Sequence, residues 1–89
     1  MNTVWKWALA PGSNELQMPL DSRVLTVQMQ GETPCLWALV DDNNDLVWRT
    51  FAVYGTGRLV RHDHGKYIGT FQMNGGALVW HVFEVPNAD

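Results

Sequence analysis

The sequence has little cysteine, little positive charge and no long apolar run. Its single cysteine, Cys35, excludes an intramolecular disulfide and gives no sign of an oxidising compartment. Lys and Arg number 6 against 9 Asp and Glu, and the resulting net charge of -3 argues against non-specific nucleic-acid binding. No segment approaches the roughly 18–20 consecutive apolar residues of a membrane span, and residues 1–12 lack the apolar centre of a signal peptide. We therefore expect a cytoplasmic protein that does not contact a membrane.

The composition is that of a folded chain, with 46% hydrophobic and 17% charged residues among 89. This length predicts one domain over residues 1–89 with one core. A chain so short buries only about 60–65% of the surface that it exposes when unfolded. Its size therefore favours self-association, and we expect a homo-oligomer.

Side chains alternate between apolar and polar along most of the chain, which is the two-residue period of a β-strand. The clearest case is residues 23–30, where Leu25, Val27 and Met29 are predicted to share one face. The predicted strands cover residues 3–9, 15–18, 23–30, 35–40, 46–54, 67–73 and 77–85. The turns between them are rich in Gly, Asn, Asp or Pro, and the first is predicted at residues 11–14. Residues 58–66 are predicted to form a loop.

The predicted fold class is all-β, a single small antiparallel β-sandwich or barrel of about seven strands. No segment has the pattern of a helix of ten or more residues. Because residues 35–40 are almost all apolar, they are predicted to form a central strand that is covered on both faces. The sequence 31–33 and the sequence 74–76 are typical of hairpins with left-handed glycine.

Five segments carry a family resemblance: TVWK at 3–6, PCLWALVD at 34–41, YGTG at 54–57, YIGTFQ at 67–72 and LVWHVFE at 78–84. Together they resemble a family of small uncharacterised all-β proteins encoded by phages and prophages. The resemblance implies a phage accessory protein that acts inside a bacterial host cell. It implies no activity, cofactor or catalytic residue.

Three histidines are weak candidates for a metal site. His62 and His64 flank Asp63, and with His81 they supply three imidazoles, but nothing in the sequence brings His81 close to the other two. The interpretation that competes with a metal site is a solvated polar turn. We predict no metal and no cofactor.

Two further motifs have simpler interpretations than a functional site. Asp41, Asn43 and Asp45 resemble the start of a calcium loop, but Leu46 and Ala52 occupy the places of its glycine and its last carboxylate, which favours a hairpin loop. A catalytic nucleophile would have to be Cys35, Ser13 or Ser22, and none has the sequence context of an activated group. The sequence therefore predicts no enzyme.

Aromatic residues are in excess, with 5 Trp, 2 Tyr and 3 Phe. They are either core residues of a small sandwich or partly an aromatic surface for a partner. The leading hypothesis is a non-enzymatic phage protein that binds a host protein and inhibits a bacterial defence system. The alternatives are a protein that sequesters a small nucleotide-like signal and a minor structural component of the virion.

For the nucleotide alternative, aromatic rings would stack on a base and cationic side chains would neutralise phosphate. The candidate ligand-binding residues are Trp48, Tyr54, Arg49, Arg58, Arg61 and Lys66. Three of the four cationic residues lie in or beside the predicted loop before residue 67.

Overall fold

The computed structural model describes residues 1–86 as two antiparallel β-sheets that pack face to face. This arrangement confirms the predicted seven-stranded, all-β sandwich. Within the described residues, no helix is long and apolar enough to cross a membrane. The strands are β1 (Asn2–Ala8), β2 (Gly12–Pro19), β3 (Arg23–Gln30), β4 (Thr33–Asp41), β5 (Leu46–Gly55), β6 (Lys66–Met73) and β7 (Leu78–Val85), and a short 3-10 turn (Asn74–Gly76) precedes β7.

The two sheets have the strand orders β1-β4-β3 and β2-β5-β7-β6. In each strand, alternate side chains point into the space between the sheets, as the period of two requires. Buried side chains of the central strands and of β2 fill most of the core, among them Met18, Leu36, Ala38, Val40, Phe51, Val53 and Val82. The core is therefore mostly aliphatic, and it accounts for few of the aromatic residues.

Strand β2 is longer than the sequence predicts. Gly12, Ser13 and Asn14 belong to the strand and pair with Val53, Ala52 and Phe51 of β5. The Asn14 side chain nevertheless stabilises the preceding turn, because its Oδ1 accepts from the Ala10 N–H and its Nδ2 donates to the Ala10 carbonyl. The prediction of a turn over these residues is thus wrong, and the turn lies at residues 9–11.

Strand β3 contains a β-bulge between Val24 and Thr26. Val27 and Met29 face the core as predicted, but the bulge moves Leu25 out of this row and leaves it exposed, while Val24 takes the place next to the core. The predicted common face of Leu25, Val27 and Met29 is therefore wrong at Leu25. A bulge adds one residue to one strand of a pair and so reverses the alternation at that point.

Strand β4 is central in its sheet, as predicted, but the described chain covers its outer face only in part. Cys35 on that face is buried, whereas Leu39 and its cross-strand neighbour Val4 are exposed. Lys6 of β1 donates to the Gln30 side chain of β3, and this hydrogen bond crosses over β4. The prediction that this strand is covered on both faces is therefore wrong at Leu39.

The connection between β5 and β6 is the one long loop of the described chain, as the sequence predicts. Both strands pair antiparallel with β7, so they are parallel to each other with β7 between them. The loop leaves β5 at Gly55, level with Trp80, and enters β6 at Lys66, level with Glu84. It therefore runs along the outer face of β7, where the His64 ring lies 4.9 Å from the ring of Phe83.

The two sheets are in close contact where Gly69 of β6 faces Val27 of β3. A Cβ atom on Gly69 would lie 2.6 Å from Val27 Cγ2. We expect Gly69→Ala to lower the free energy of unfolding by about 1–3 kcal/mol, because the added methyl group overpacks the core. Urea denaturation of the purified variant measures this loss.

The matched control for Gly69→Ala is the double variant with Val27→Ala. Val27→Ala alone removes buried methyl groups and is also destabilising. In the double variant the two changes offset each other, so we expect a loss smaller than the sum by about 1 kcal/mol or more. Additive losses would mean that the contact does not set the spacing of the sheets.

Candidate functional site

A bidentate ion pair between Arg49 of β5 and Glu84 of β7 lies at the edge of the core. Arg49 Nε donates to Glu84 Oε2 at 2.6 Å, and Arg49 Nη2 donates to Glu84 Oε1 at 2.7 Å. The two side chains are 20% and 22% exposed. These hydrogen bonds raise the pKa of the Arg49 guanidinium above its usual value. The pair therefore holds a charged guanidinium in one orientation at a partly buried position.

Arg49 also joins the two sheets. Its Nη1 donates to the carbonyl of Ser22, the residue directly before β3. The turn that presents this carbonyl is itself fixed, because the Ser22 hydroxyl donates to Pro19 O at 2.6 Å and the Ser22 N–H donates to the same oxygen at 3.1 Å. One side chain thus ties the four-stranded sheet to the start of the edge strand opposite.

A groove opens beside this ion pair, between the edge strands β3 and β6. Each of these strands carries a bulge, one at Leu25 and the other at Ile68. The two bulged segments face each other across the groove, which has a volume of about 520 Å³. Its lining comprises Ser22, Arg23, Val24, Leu25, Arg49, Lys66, Tyr67, Ile68 and Glu84. We refer to it as the bulge groove.

The charge of the bulge groove is opposite to that of the whole chain. Its lining has three cations, Arg23, Arg49 and Lys66, and one carboxylate, Glu84, so three minus one gives a charge of +2. The chain carries -3. Glu84 is already engaged by Arg49, and within residues 1–86 neither Arg23 nor Lys66 takes part in an ion pair. The groove is therefore a local site of attraction for anions.

Three of the six predicted ligand-binding residues lie together. Arg49 and Lys66 line the bulge groove, and Trp48 lines an adjoining hollow that shares Ser22, Arg49 and Glu84 with it. The sequence analysis missed Arg23, Leu25, Tyr67 and Glu84 in this region. Arg23, Tyr67 and Glu84 have no distinctive sequence signal, and the adjacent apolar residues Val24 and Leu25 only interrupt the alternation where the bulge lies.

The other three predicted residues do not line the groove. Tyr54 lies on the outer face of β5, with its ring 5.9 Å from that of Phe83. Arg61 makes an exposed ion pair with Asp63 at 2.7 Å, which lowers the pKa of the Asp63 carboxyl. Arg58 lies beside Gly55 and Trp80, at the other end of β7 from Glu84.

The comparison with known protein families matches residues 1–89 to a domain of unknown function, DUF7352. The chain belongs to the DUF7352 family. Its match extends over both sheets and over every residue of the groove. No curated protein and no solved structure matches this member of DUF7352. These comparisons assign no activity to the chain.

The outer face of the four-stranded sheet in this DUF7352 member carries a chain of hydrogen bonds centred on His81. Thr56 Oγ1 donates to Val79 O, so it accepts from His81 Nε2 at 2.7 Å. With Nε2 protonated in neutral His81, Nδ1 accepts from the Thr70 hydroxyl at 3.0 Å, and Thr70 accepts from the Tyr67 hydroxyl at 2.7 Å. The imidazole is therefore held at both nitrogens by neighbouring hydroxyl groups.

The histidines proposed as weak metal candidates have separate surroundings. His81 is bonded between Thr56 and Thr70, His64 packs on Phe83 with its Nδ1 2.8 Å from the carbonyl oxygen of Gly65, and His62 is exposed in the loop. Among residues 1–86, no three His, Cys, Asp or Glu side chains are placed to hold a metal ion together.

The candidate nucleophiles of the DUF7352 chain are also engaged or enclosed. Cys35 is a buried free thiol on β4, and the Ser22 hydroxyl donates to Pro19 O. Ser13 is an exposed residue of β2 that pairs with Ala52. An activated nucleophile requires a base within hydrogen-bonding reach, and the bonds of the described residues show none for these three.

Proposed function

We propose that this protein is a non-catalytic binding domain that attaches to another protein through an exposed apolar patch around Trp48. The patch consists of Trp48, Leu46 and Leu20, and we refer to it as the Trp48 patch. Trp48 and Leu46 lie two residues apart on the outer face of β5, and Leu20 lies beside them because its N–H donates to Asp45 O at 2.7 Å.

The single observation that carries this proposal is the exposure of Trp48. Its side chain is 58% exposed, although tryptophan offers more apolar surface for burial than almost any other residue. Among residues 1–86, the pairing of β5 with β7 extends only to Thr50 and Val85, so no described strand lies beside Trp48 on that side of β5. Tryptophan is enriched at the centre of protein–protein interfaces.

The aromatic residues as a group support the same proposal. None of the five tryptophans is fully buried, and the enclosed core consists mainly of aliphatic side chains. Phe51 and Phe71 belong to the core and Trp7 and Trp80 pack against it, so core packing accounts for four of the ten aromatic residues and leaves six outside the core. Exposed rings are retained more readily where a partner covers them.

The charge next to the Trp48 patch suggests the chemistry of its partner. Asp21 lines the hollow beside Trp48, and Asp45 directly precedes Leu46. A partner with an apolar centre and basic residues at its rim would complement this surface. The resemblance to phage-encoded proteins motivates the search for that partner among bacterial host proteins, and inhibition of a defence system is the specific form that we propose.

Replacing Trp48 with alanine tests the patch. The partner is a host protein that is first captured from host lysate and then purified. We expect Trp48→Ala to weaken its binding by about 30-fold or more, because truncation of a central tryptophan commonly removes 2 kcal/mol or more of binding free energy. Isothermal titration calorimetry measures the loss. Because the ring is exposed, the variant should keep the melting temperature of the wild type.

The matched control is Leu59→Ala, in the loop between β5 and β6. Leu59 is 92% exposed and lies outside the Trp48 patch, so its removal should leave the affinity within about twofold. Equal weakening by both variants, or full affinity in Trp48→Ala, would contradict the proposal.

A second copy of this chain is the competing occupant of the patch. Light scattering distinguishes the two cases, because a self-interface predicts a wild-type dimer that Trp48→Ala converts to a monomer. The proposal would be overturned if the wild type were such a dimer and bound no host protein in a ratio of one to one.

A further inference from the structure

We infer that the open edge of β1 binds a second copy of this chain, whose own β1 pairs with it antiparallel. Three plus three strands then form one sheet of six across a two-fold axis. Strand β1 belongs to the three-stranded sheet and Trp48 to the other sheet, so this interface is distinct from the Trp48 patch. The inference therefore does not depend on the proposed function.

The sandwich has four edge strands, and three of them are interrupted or covered. Strands β3 and β6 each contain a bulge, and they pack against each other. Strand β2 ends at Pro19, which has no N–H, and its Gln17 carbonyl accepts from Trp7 Nε1 at 3.2 Å. Bulges, proline and covered backbone groups are features that keep an edge strand from pairing with another chain.

Strand β1 has none of these features. It pairs with β4 in one unbroken register from Asn2 to Ala8, and in the described part of the chain no strand lies on its other side. Its one charged residue is Lys6, a residue type that commonly protects an edge. The Lys6 ammonium, however, donates to Gln30 on the far side of β4. The edge of β1 is therefore open to a further strand.

Alternate residues of β1 direct their backbone groups to this open side. Leu9, directly after β1, donates its N–H to Pro34 O at 2.9 Å, so residues at odd positions bond to β4. Residues at even positions turn their N–H and carbonyl groups away from β4. The open edge thus offers both groups of Asn2, Val4 and Lys6 to a pairing strand.

One register of the self-pairing suits these residues best. With Val4 on the two-fold axis, Val4 lies opposite Val4 of the second copy, and Lys6 lies opposite Asn2. Each of these pairs exchanges two hydrogen bonds. A register centred on Trp5 would bring the two Lys6 side chains into diagonal contact, and one centred on Lys6 would place them directly opposite, where like charges are destabilising.

The same register brings exposed apolar side chains together. On the outer face, Val4 is 49% exposed and its cross-strand neighbour Leu39 is 36% exposed. Pairing of the two Val4 residues would join these side chains into one apolar row across the axis. On the other face, Trp5 is 36% exposed, and the two Trp5 rings would become diagonal neighbours within reach of each other. The pairing therefore covers apolar surface on both faces of the new sheet.

Charge complementarity favours a second copy over an unrelated strand. Lys6 would lie opposite Asn2 of the second copy, and Asn2 pairs with Asp41. Asp41 and its neighbour Asp42 carry two negative charges and share one cationic partner, the amine of Met1. Each Lys6 would therefore approach a negatively charged corner of the other copy. Two-fold symmetry repeats this match on both sides of the axis.

A charge placed on the axis tests the interface. We expect the wild type to sediment as a dimer in the analytical ultracentrifuge. Val4→Lys should raise the dissociation constant of the dimer by about 100-fold or more, because symmetry removes two valines from the interface and sets two lysines opposite each other. Because Val4 is half exposed, the variant should keep the melting temperature of the wild type.

The matched control is Leu59→Lys. It adds the same charge at a 92% exposed loop position away from β1, and it should change the dissociation constant less than about twofold.

Val4→Pro tests the backbone pairing separately from charge. The N–H that proline removes faces the open side, so the bonds between β1 and β4 remain while the bonds on the axis are lost. We expect this variant to be a folded monomer.

NMR of a dimer mixed from labelled and unlabelled chains tests the register. Thr3 of one copy and Trp5 of the other would form a non-hydrogen-bonded pair, in which Cα atoms lie about 4.5 Å apart. We expect a contact between their α-protons across the interface.

Three results would overturn the inference. The first is a wild type that stays monomeric at submillimolar concentration. The second is a dimer that Val4→Lys weakens no more than Leu59→Lys does. The third is a monomer whose binding to a host protein is lost in Val4→Lys, which would make the open edge a site for a strand of that protein. Trp48→Ala should leave the dimer intact and Val4→Lys should leave host-protein binding intact, so the two proposals fail separately.

Discussion

Gly65→Ala is expected to lower the melting temperature by about 10 °C or more. Gly65 has φ +82°, a conformation that costs an L-residue about 1–2 kcal/mol. Its added Cβ would also lie 2.0 Å from the carbonyl oxygen of Glu84 and 2.8 Å from Cδ of Pro86. The loop end must therefore move away from β7, and a total loss of about 3 kcal/mol corresponds to 12–24 °C in a domain of this size.

Gly57→Ala separates backbone strain from steric overlap. Gly57 has φ +83°, almost the same conformation, but its added Cβ would meet no atom within 4 Å. We expect a fall in melting temperature of about 4–16 °C, the effect of strain alone. Calorimetric scans of the two variants measure the difference. Equal losses would show that contact between Gly65 and the backbone of β7 contributes nothing.

A second measurement follows the loop itself. Displacement of Gly65 should also carry away His64, whose ring packs 4.9 Å from Phe83. The NMR signals of the His64 ring should then lose the shift caused by the aromatic ring beneath it. Gly57→Ala, eight positions away, should leave these signals in place.

Breaking the Arg49–Glu84 ion pair should cause the second large loss of stability. Arg49→Met leaves the Glu84 carboxylate partly buried without its partner and leaves the Ser22 carbonyl without its donor. Removing one member of a partly buried pair leaves an uncompensated charge, so we expect the free energy of unfolding to fall by about 2–4 kcal/mol. Urea denaturation measures the loss.

The double variant Arg49→Met with Glu84→Leu is the informative control. It leaves no unpaired charge, so it should be more stable than Arg49→Met alone by about 1–3 kcal/mol. Arg61→Gln, which breaks the exposed pair with Asp63, should leave the melting temperature unchanged within error. If the double variant were as unstable as Arg49→Met, the loss would come from packing and not from the buried charge.

The alternation of side chains was sufficient to predict the fold class and most strands. A strand with one buried face has to repeat every two residues, and this constraint is visible without knowledge of the tertiary structure. The same reasoning failed at Leu25, because a bulge adds a residue without a distinctive residue type. It also failed at residues 12–14, because Asn14 lies in β2 while its side chain bonds the backbone of the preceding turn.

The candidate site was predictable only in part, because its residues come from distant parts of the chain. Arg49 and Lys66 were proposed from their chemistry, but Arg23 joins them only through the packing of β3 against β6. Glu84 was missed because its role depends on Arg49, its neighbour across two paired strands. Conversely, Arg58 and Arg61 are close to Lys66 in sequence but lie elsewhere, because the loop runs along the whole length of β7.

The position of β7 between β5 and β6 has a consequence for the order of assembly. During synthesis, β5 and β6 leave the ribosome before the strand that holds them together, so the four-stranded sheet cannot be completed until the final hairpin has emerged. Until then β6 has no partner in its own sheet, and the groove it shares with β3 does not exist. Loss of the last strand would therefore remove one full edge of the sandwich together with the candidate ligand site.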